Sequence, residues 1–268
     1  MGKVWLASFP RSGNTFFRNI LYHVYGLNSL ESEFEKSLFE NEINISKTHE
    51  LPFKLKTYSG AKDKVIYLVR DGRDSICSIA FQRKNIIATD SDINLNLKEA
   101  TIAECASYFG GWNLNCRFWL AEKPIIIRFE DLIIDPRTEF EKLESILPFP
   151  KANWDRLPTF EQQKRGESKF GKKGSENEIS ENFSEFFFRK GKIGNWKEEL
   201  PEYLQEIFWN DSQEVMEAFG YSKNGDIGLI DHTKIEEIGN RHWEYLLKEV
   251  QIRYWELRLL LRKLKHGK

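Results

Sequence analysis

The residues that could do chemistry begin with a polar turn at positions 8–15, Ser-Phe-Pro-Arg-Ser-Gly-Asn-Thr. A turn that precedes a helix exposes successive backbone N–H groups, and the helix dipole favours an anion there. Arg11 adds a fixed positive charge, and Gly13 lets a ligand approach the backbone closely. The turn therefore predicts a phosphate-binding cradle. The alternative is an ordinary tight turn, because the second Gly and the Lys of a nucleoside-triphosphate P-loop are absent.

A lysine and a histidine two positions apart could provide a base. In an extended segment such side chains point to the same face, so Lys47 and His49 should lie side by side. A neighbouring cation lowers the pKa of an imidazole, which keeps it neutral and able to accept a proton. The pair therefore predicts a general base beside an anionic group. Glu50 is the second candidate for the base, and a His without a catalytic role is the alternative.

Two further segments combine cations with a hydroxyl group or with glycines. Arg70 follows an apolar run, and Ser78 lies eight residues later, about one turn into a helix that we predict to begin near Asp74. An Arg and a Ser so placed can bind one phosphate group together. Residues 189–196, Arg-Lys-Gly-Lys-Ile-Gly-Asn-Trp, place two cations before paired glycines and predict a second anion-binding loop. The alternatives are a surface Arg–Asp network and a solvated basic turn.

The apolar pattern predicts the elements that must position these residues. It indicates strands at residues 4–9, 43–46, 65–69 and 125–129, and helices at residues 15–25, 102–120, after Pro136 and at 202–219. Alternating apolar strands and helices predict an α/β, P-loop-like fold of three layers, with a central parallel sheet flanked by helices. Ligands of such folds bind beyond the carboxyl ends of the strands, where the polar segments lie. The polar stretch 161–185 predicts a mobile loop or lid.

The end of the chain differs in kind, and we predict a domain at residues 1–231 followed by a long amphipathic helix at residues 232–268. Apolar residues there alternate at spacings of four and three, the rhythm of a coiled-coil seam: Trp243, Leu247, Val250, Tyr254, Leu257, Leu261 and Leu264. Packing on the protein's own domain and self-association into a homo-oligomer are both open. The basic end of the helix allows contact with an anionic membrane surface, but a solvated face is the favoured interpretation.

Composition excludes several classes of protein. A formal net charge of −1 argues against a general nucleic-acid binder, which usually has a basic domain. Aromatic residues make up 14% of the chain, which argues against disorder. Three cysteines without metal-ligand spacing indicate buried thiols in a reducing compartment, so we expect a cytoplasmic location and no metal site. We expect no signal peptide, and the longest early apolar run is too short to span a membrane.

Taken in order, the motifs resemble those of the sulfotransferases that use 3′-phosphoadenosine 5′-phosphosulfate (PAPS), most closely the cytosolic branch. Residues 10–16 are similar to the family's Pro-Lys-Ser-Gly-Thr-Thr-Trp, and Lys47-Thr48-His49 is unchanged from its Lys-Thr-His. Arg70 and Ser78 match its Arg and Ser eight residues apart, and residues 189–196 match its Arg-Lys-Gly-x-x-Gly-Asp-Trp with Asn at the acid position. Gly111-Trp112 and residues 129–132, Phe-Glu-Asp-Leu, are further landmarks. The resemblance runs from about residue 4 to residue 221.

The resemblance implies an enzyme and assigns roles to these residues. The 5′-phosphosulfate of PAPS would be bound by Arg11, Ser12, Gly13, Asn14 and Thr15. The 3′-phosphate would be bound by Arg70, Ser78, Arg189, Lys190 and Gly191. Phe16 and Phe160 would flank the adenine. Arg11 stands where cytosolic members usually carry Lys, so its role would be to stabilise charge.

By the same resemblance, His49 would accept the acceptor's proton during in-line sulfuryl transfer, while Arg11 and Lys47 stabilise the leaving group and no metal takes part. The products would be a sulfated acceptor and adenosine 3′,5′-bisphosphate (PAP). The acceptor is a hydroxyl or amine of undetermined class, on a small molecule, lipid or glycan. Two rivals are a non-catalytic PAP-binding protein and a P-loop-type nucleotide kinase.

Overall fold

A five-stranded parallel sheet forms the centre of the protein. The computed structural model describes residues 3–31, 34, 43–103, 108–164, 168–171 and 192–266. The strands are β1 (Val4–Ala7), β2 (Ser29–Leu30), β3 (Ile45–Thr48), β4 (Lys64–Val69) and β5 (Ile125–Arg128). Their order is β2-β3-β1-β4-β5, and each pairs in parallel with its neighbours. Strands β1, β3 and β4, which lead into the cradle, His49 and Arg70 respectively, therefore lie side by side at the middle of the sheet.

Helices cover both faces of this sheet. They are α1 (Asn14–Tyr25), α2 (Gly72–Gln82), α3 (Ile93–Thr101), α4 (Gly111–Leu120), α5 (Phe129–Ile134), α6 (Pro136–Glu144), α7 (Phe160–Lys164), α8 (Trp196–Glu199), α9 (Glu202–Ala218), α10 (His232–Asn240) and α11 (Leu246–His266). Short turns of helix lie at Pro52–Lys54, Gly60–Lys62, Arg83–Ile87, Tyr108–Gly110, Trp154–Arg156 and His242–Tyr245.

Two apolar cores sandwich the sheet because successive residues of a strand point to opposite faces. Trp5 of β1 packs into a core that includes Trp112 of α4. Its neighbour Leu6 packs into a second core that includes Phe17 of α1 and Phe140 of α6. The three layers confirm the predicted α/β fold.

The predicted start of the helix at residue 102 is wrong. Helix α3 ends at Thr101, and α4 begins only at Gly111. Gly110 and Gly111 have φ values of 86° and 76°, which a continuous right-handed helix cannot contain. A Cβ at Gly111 would lie 2.0 Å from the carbonyl oxygen of Ala103, so only glycine fits this turn.

Other element boundaries also move. Strand β3 runs from Ile45 to Thr48, two residues later than predicted, so that Lys47 lies within the strand. The two-residue strand β2 was not predicted, because its apolar pattern is too short to stand out. Helix α2 begins at Gly72, so Ser78 lies almost two turns into it.

The stretch predicted as a mobile lid is packed where the structure describes it. Asn19 of α1 donates from Nδ2 to Gln163 Oε1 at 2.9 Å and accepts from the Phe170 backbone N–H at 2.9 Å. The Arg18 guanidinium lies 3.8 Å from the centre of the Phe170 ring. Residues 160–164 and 168–171 are therefore anchored to α1, and the rest of the predicted lid lies outside the described residues.

The C-terminal segment is two helices rather than one. Helix α10 buries Ile235 and Ile238 in the same core as α4, so the proposed boundary at residue 231 does not coincide with a break in packing. The longer α11 packs through Ile252 against Leu51 and Phe118. A separate role for the end of the chain stays a prediction.

Cys77 and Cys116 are buried and form no disulfide bond in the described part of the chain, and Cys105 lies outside the described residues. In the part of the chain that the structure describes, no helix combines the length and the apolar character needed to cross a membrane.

Candidate active site

The cradle, residues 8–15, joins β1 to the first turn of α1. Gly13 has a φ of 98°, and a Cβ there would lie 2.3 Å from Phe129 Cδ2, so the position admits only glycine. Arg11 also has a positive φ, 67°, which is uncommon for a residue with a side chain. The first turn of α1 carries no acidic residue. No acidic side chain in that turn and no capping side chain competes with an anion for its N–H groups, so binding of an anion there stays a prediction.

Two donors beside the cradle have no hydrogen-bond partner within the described parts of the chain. They are Ser12 Oγ and Arg70 Nε, and both atoms are buried. Buried polar atoms are nearly always paired, so two unpaired donors at one place indicate that an acceptor belongs there. An anion at the cradle would supply acceptor oxygens.

His49 lies at the carboxyl end of β3, with its ring against the cradle. Its Nδ1 is 2.9 Å from the carbonyl oxygen of Ser8 and 3.3 Å from Ser8 Oγ. A carbonyl can only accept, so Nδ1 carries the proton and Nε2 is left to accept one. Asn14 Nδ2 donates to Ser8 Oγ at 2.6 Å, which links the imidazole to the first residue of α1. This contact joins two motifs that are far apart in sequence.

The His49 imidazole is neutral near pH 7. The pKa of His49 is lowered to about 4. Burial is the largest cause of this shift, and the charge of Lys47 is the next. The hydrogen bond to the Ser8 carbonyl raises this pKa, and Arg11 lowers it further. The direction agrees with the expectation from the Lys-Thr-His spacing, although burial acts more strongly than the lysine. A neutral imidazole with a fixed tautomer can act as a proton acceptor.

Helix α4 holds the backbone that carries the imidazole. Asn115 Nδ2 donates to the carbonyl oxygen of His49 at 3.1 Å, and Trp119 Nε1 donates to that of Glu50 at 3.1 Å. Tyr67 OH in turn donates to Asn115 Oδ1 at 2.9 Å. Sequence reasoning missed these residues, since only the Gly-Trp landmark at the start of α4 pointed to this helix.

Two carboxylates flank the Lys47–His49 segment and are paired with cations. Glu50 lies 3.7 Å from Lys54 Nζ. Glu31 lies 3.4 Å from Lys47 Nζ and also pairs with Arg18. Because the Glu31 side chain is 58% exposed, its bond to Lys47 is a weak surface pair that a stronger anion could displace.

Arg70 and Ser78 both reach the cradle. Arg11 Nε donates to Ser78 Oγ at 3.0 Å, and Arg70 Nη1 donates to the carbonyl oxygen of Arg11 at 3.2 Å. The Arg70 guanidinium also lies 4.8 Å from the centre of the Phe129 ring. Two predicted motifs, the cradle and the Arg70–Ser78 pair, thus meet at one point.

Asp74 brings the described end of the late loop, residues 192–196, to the same place. Its buried carboxylate accepts from the backbone N–H of Gly194 at 2.8 Å and of Trp196 at 3.0 Å. Arg70 lies 3.8 Å from this carboxylate and donates to the carbonyl oxygen of Lys192 at 3.3 Å. Sequence reasoning took Asp74 only for the start of a helix and missed it as an anchor.

The remaining predicted residues are only partly described. Thr15 and Phe16 are half-buried in the first turn of α1, and Phe16 packs against the core on that face of the sheet. Phe160 lies in α7, but its side chain is outside the described part of the structure. Arg189, Lys190 and Gly191 also lie outside the described residues.

The Phe-Glu-Asp-Leu landmark at residues 129–132 has a structural role. Glu130 is buried and accepts from the Asp71 backbone N–H at 3.0 Å and from Tyr221 OH at 2.7 Å. Burial raises the pKa of Glu130 to about 7. The residue therefore secures the turn between Arg70 and α2.

Among the described residues, no group of three or more potential metal ligands is present.

Solved structures with a similar fold include a sulfotransferase and a retinol dehydratase. Mouse sulfotransferase SULT7A1 in complex with PAP superposes with a TM-score of 0.64 at 18% identity, over 81% of this chain and 85% of that one. Retinol dehydratase in complex with androsterone and PAP superposes with a TM-score of 0.55 at 14% identity, over 80% of each chain. At these identities the likeness establishes the fold alone.

Sequence comparisons establish the family. The 3-alpha-hydroxysteroid sulfotransferase of Cavia porcellus is 26% identical over 183 residues, which span 64% of this chain and 63% of that enzyme. Sulfotransferase 1E1 of Mus musculus is 26% identical over 235 residues, 76% of this chain and 79% of the mouse protein. A family model described as the sulfotransferase domain matches residues 41–220, which is more than half of the chain but begins after the cradle. The predicted resemblance is thus confirmed: the chain belongs to the sulfotransferase family of enzymes.

Proposed function

We propose that this sulfotransferase uses PAPS as its donor and that His49 is the general base. One observation carries the proposal: the neutral imidazole, held by the Ser8 carbonyl at 2.9 Å, lies against the cradle that follows β1. A base and an anion site at one point are what sulfuryl transfer from an anionic donor requires. PAPS would supply the activated sulfuryl group, joined to phosphate through a bridging oxygen.

His49 Nε2 would accept the proton of the acceptor's hydroxyl or amine as the new bond to sulfur forms. The bond between sulfur and the bridging oxygen breaks at the same time, and the electron pair leaves with PAP. Arg11, Lys47 and the N–H groups of α1 would stabilise the charge that grows on that oxygen. Lys47 would first exchange its weak pair with Glu31 for this role.

The 3′-phosphate would bind beside Arg70, Ser78 and the late loop. Support comes from the hydrogen bonds that join Arg11 to Ser78 at 3.0 Å and Asp74 to the Gly194 N–H at 2.8 Å. Arg11 and Ser78 would give up their mutual bond for phosphate oxygens. Arg189, Lys190 and Gly191 complete the proposed site, with Phe16 and Phe160 beside the adenine.

The acceptor remains a hydroxyl or amine on a small molecule, lipid or glycan. One relative is named for 3-alpha-hydroxysteroids, so hydroxyl-bearing apolar compounds are the first to test. We also retain a cytoplasmic location, which agrees with the reduced state of the buried Cys77 and Cys116, neither of which is in a disulfide bond.

The test is turnover of labelled PAPS against a panel of acceptors, together with calorimetry of PAP binding. H49A should lower turnover at least ~100-fold and leave PAP affinity nearly unchanged. R70A should weaken PAP binding, because it removes a cation from the proposed 3′-phosphate site. H232A, at the exposed start of α10, is the matched control and should match the unmodified protein in both assays.

Three results would overturn the proposal. Equal turnover by H49A would remove the base assignment and make Glu50 the next candidate. PAP binding without turnover of any acceptor would favour a non-catalytic binding protein. Competition of ATP and Mg²⁺ with PAP, accompanied by phosphoryl transfer, would favour a nucleotide kinase.

A further inference from the structure

Helix α11 has apolar residues on two opposite faces. Ile252 is fully buried against Leu51, Leu114 and Phe118 of the protein's own body. The outer face is 54–76% exposed; it is defined here as Trp243 of the preceding turn together with Leu247, Val250, Tyr254, Leu257 and Leu261 of α11. Val250 and Tyr254 each lie two residues from Ile252 and hence about 200° around the helix from it. The predicted coiled-coil seam therefore points away from the body.

This outer face is a contiguous row of large apolar side chains on the surface. Scattered exposed leucines are ordinary in proteins, but a continuous apolar row with polar margins marks an interaction surface. The two occupants that fit a helix face of this kind are a second copy of the chain and a lipid surface. Charge distinguishes between them.

Helix α11 has an excess of basic residues, whereas the rest of the chain has an excess of acidic ones. The helix carries six Lys and Arg residues against two Glu, whereas the rest of the chain carries 34 basic residues against 39 acidic ones. Both acids are engaged: Glu256 pairs with Lys54 of the body at 2.5 Å, and Glu249 pairs with Arg253 at 2.8 Å. Two such helices brought side by side would repel each other, whereas anionic headgroups would attract each basic residue near the surface.

The residue types of the outer face also fit a membrane interface. Trp243, Tyr254 and the neighbouring, 47% exposed Trp255 are aromatics of the kind found at the level of lipid headgroups. Arg258 lies over the rings of Tyr254 and Trp255 at 5.8 Å and 5.6 Å, so that its charge borders the apolar row. A helix with an apolar face and basic margins lies in the plane of the interface.

We propose that the outer face of α11 docks on an anionic lipid surface. The helix is attached to the segment that follows His49, since Lys54 bridges Glu50 at 3.7 Å and Glu256 at 2.5 Å. Docking therefore brings residues 50–54 toward the lipid. If the proposed function holds, lipid-borne hydroxyl compounds belong in the acceptor screen, but docking itself does not depend on catalysis.

The experiment is flotation of the full chain with vesicles, scored by bound fraction. We expect binding to phosphatidylcholine vesicles that contain about 30% phosphatidylglycerol, weak binding to pure phosphatidylcholine, and release by about 0.5 M NaCl. The double variant L247Q/L257Q should lose binding at least about 10-fold. L229Q is the matched control, because Leu229 is 91% exposed elsewhere on the surface.

The double variant should fold normally, since its two side chains contact mainly solvent, and an unchanged thermal midpoint would verify this. Equal flotation with neutral and anionic vesicles, or equal flotation of L247Q/L257Q and L229Q, would overturn the proposal. Sedimentation that shows a dimer in the unmodified chain and a monomer in L247Q/L257Q would assign the face to a second copy instead.

Discussion

Replacing Lys47 by Met should raise the pKa of the His49 imidazole. Burial is the main cause that lowers this pKa to about 4, and the Lys47 ammonium is next. At pH 6 an imidazole of pKa 4 is about 1% protonated, whereas one at the ordinary pKa of 6.5 is about three-quarters protonated. The substitution removes the charge and leaves the burial, so we expect a pKa of about 5, short of the ordinary value.

The assay is an NMR titration of the histidine Cε1–H signals between about pH 4.5 and 8, with His49 assigned from an H49N variant. In the unmodified protein the His49 signal should be nearly constant above pH 6, whereas in K47M it should still move between pH 5 and 6. K47R keeps the charge and is the control, so its titration should match that of the unmodified protein. Identical titrations of K47M and K47R would refute the electrostatic argument.

The same shift has a consequence for stability. Because the folded pKa of His49 lies below that of the unfolded chain, protons bind preferentially to the unfolded state. The contribution of His49 to stability is therefore present above pH 6.5 and is lost as the pH falls toward 4. In K47M this loss should be smaller, and urea unfolding at pH 7 and pH 5 would measure the difference.

Three further substitutions test the surroundings of the site. D74N should weaken PAP binding about 30-fold, because an amide cannot accept from both late-loop N–H groups as the carboxylate does. Unchanged affinity in calorimetry would show that Asp74 does not support the 3′-phosphate site. G13A should lower the thermal midpoint by about 5 °C, since it forces a side chain into a φ of 98° and against Phe129; an unaltered midpoint would contradict the steric argument. Glu130, with a pKa of about 7, keeps its proton in the folded state, so stability should fall by up to about 3 kcal/mol as the pH rises from about 4.5 to 7. E130Q should abolish that slope in urea unfolding, and a persistent slope would assign it to another group.

The local sequence pattern was sufficient to predict the three layers of the fold and the individual motifs of the candidate site. Solid apolar runs such as Val65–Val69 are typical of strands buried on both faces, which favours a parallel sheet with helices on each side. The Lys-Thr-His spacing and the glycine of the cradle predicted a base and an anion site, because side-chain direction and positive φ are local properties. These predictions need no knowledge of what lies across the fold.

Tertiary structure decided the contacts that join these pieces. The hydrogen bond between His49 and Ser8 exists because β3 pairs with β1, and strand order cannot be read from either strand alone. Asp74 anchors a loop 120 residues away, and nothing in its local sequence indicates that partner. The seam on α11 shows the same limit, because periodicity identified an apolar face whereas only packing through Ile252 determined that this face is left exposed. Local sequence specifies which residues share a face, but the partner of that face depends on contacts between distant segments.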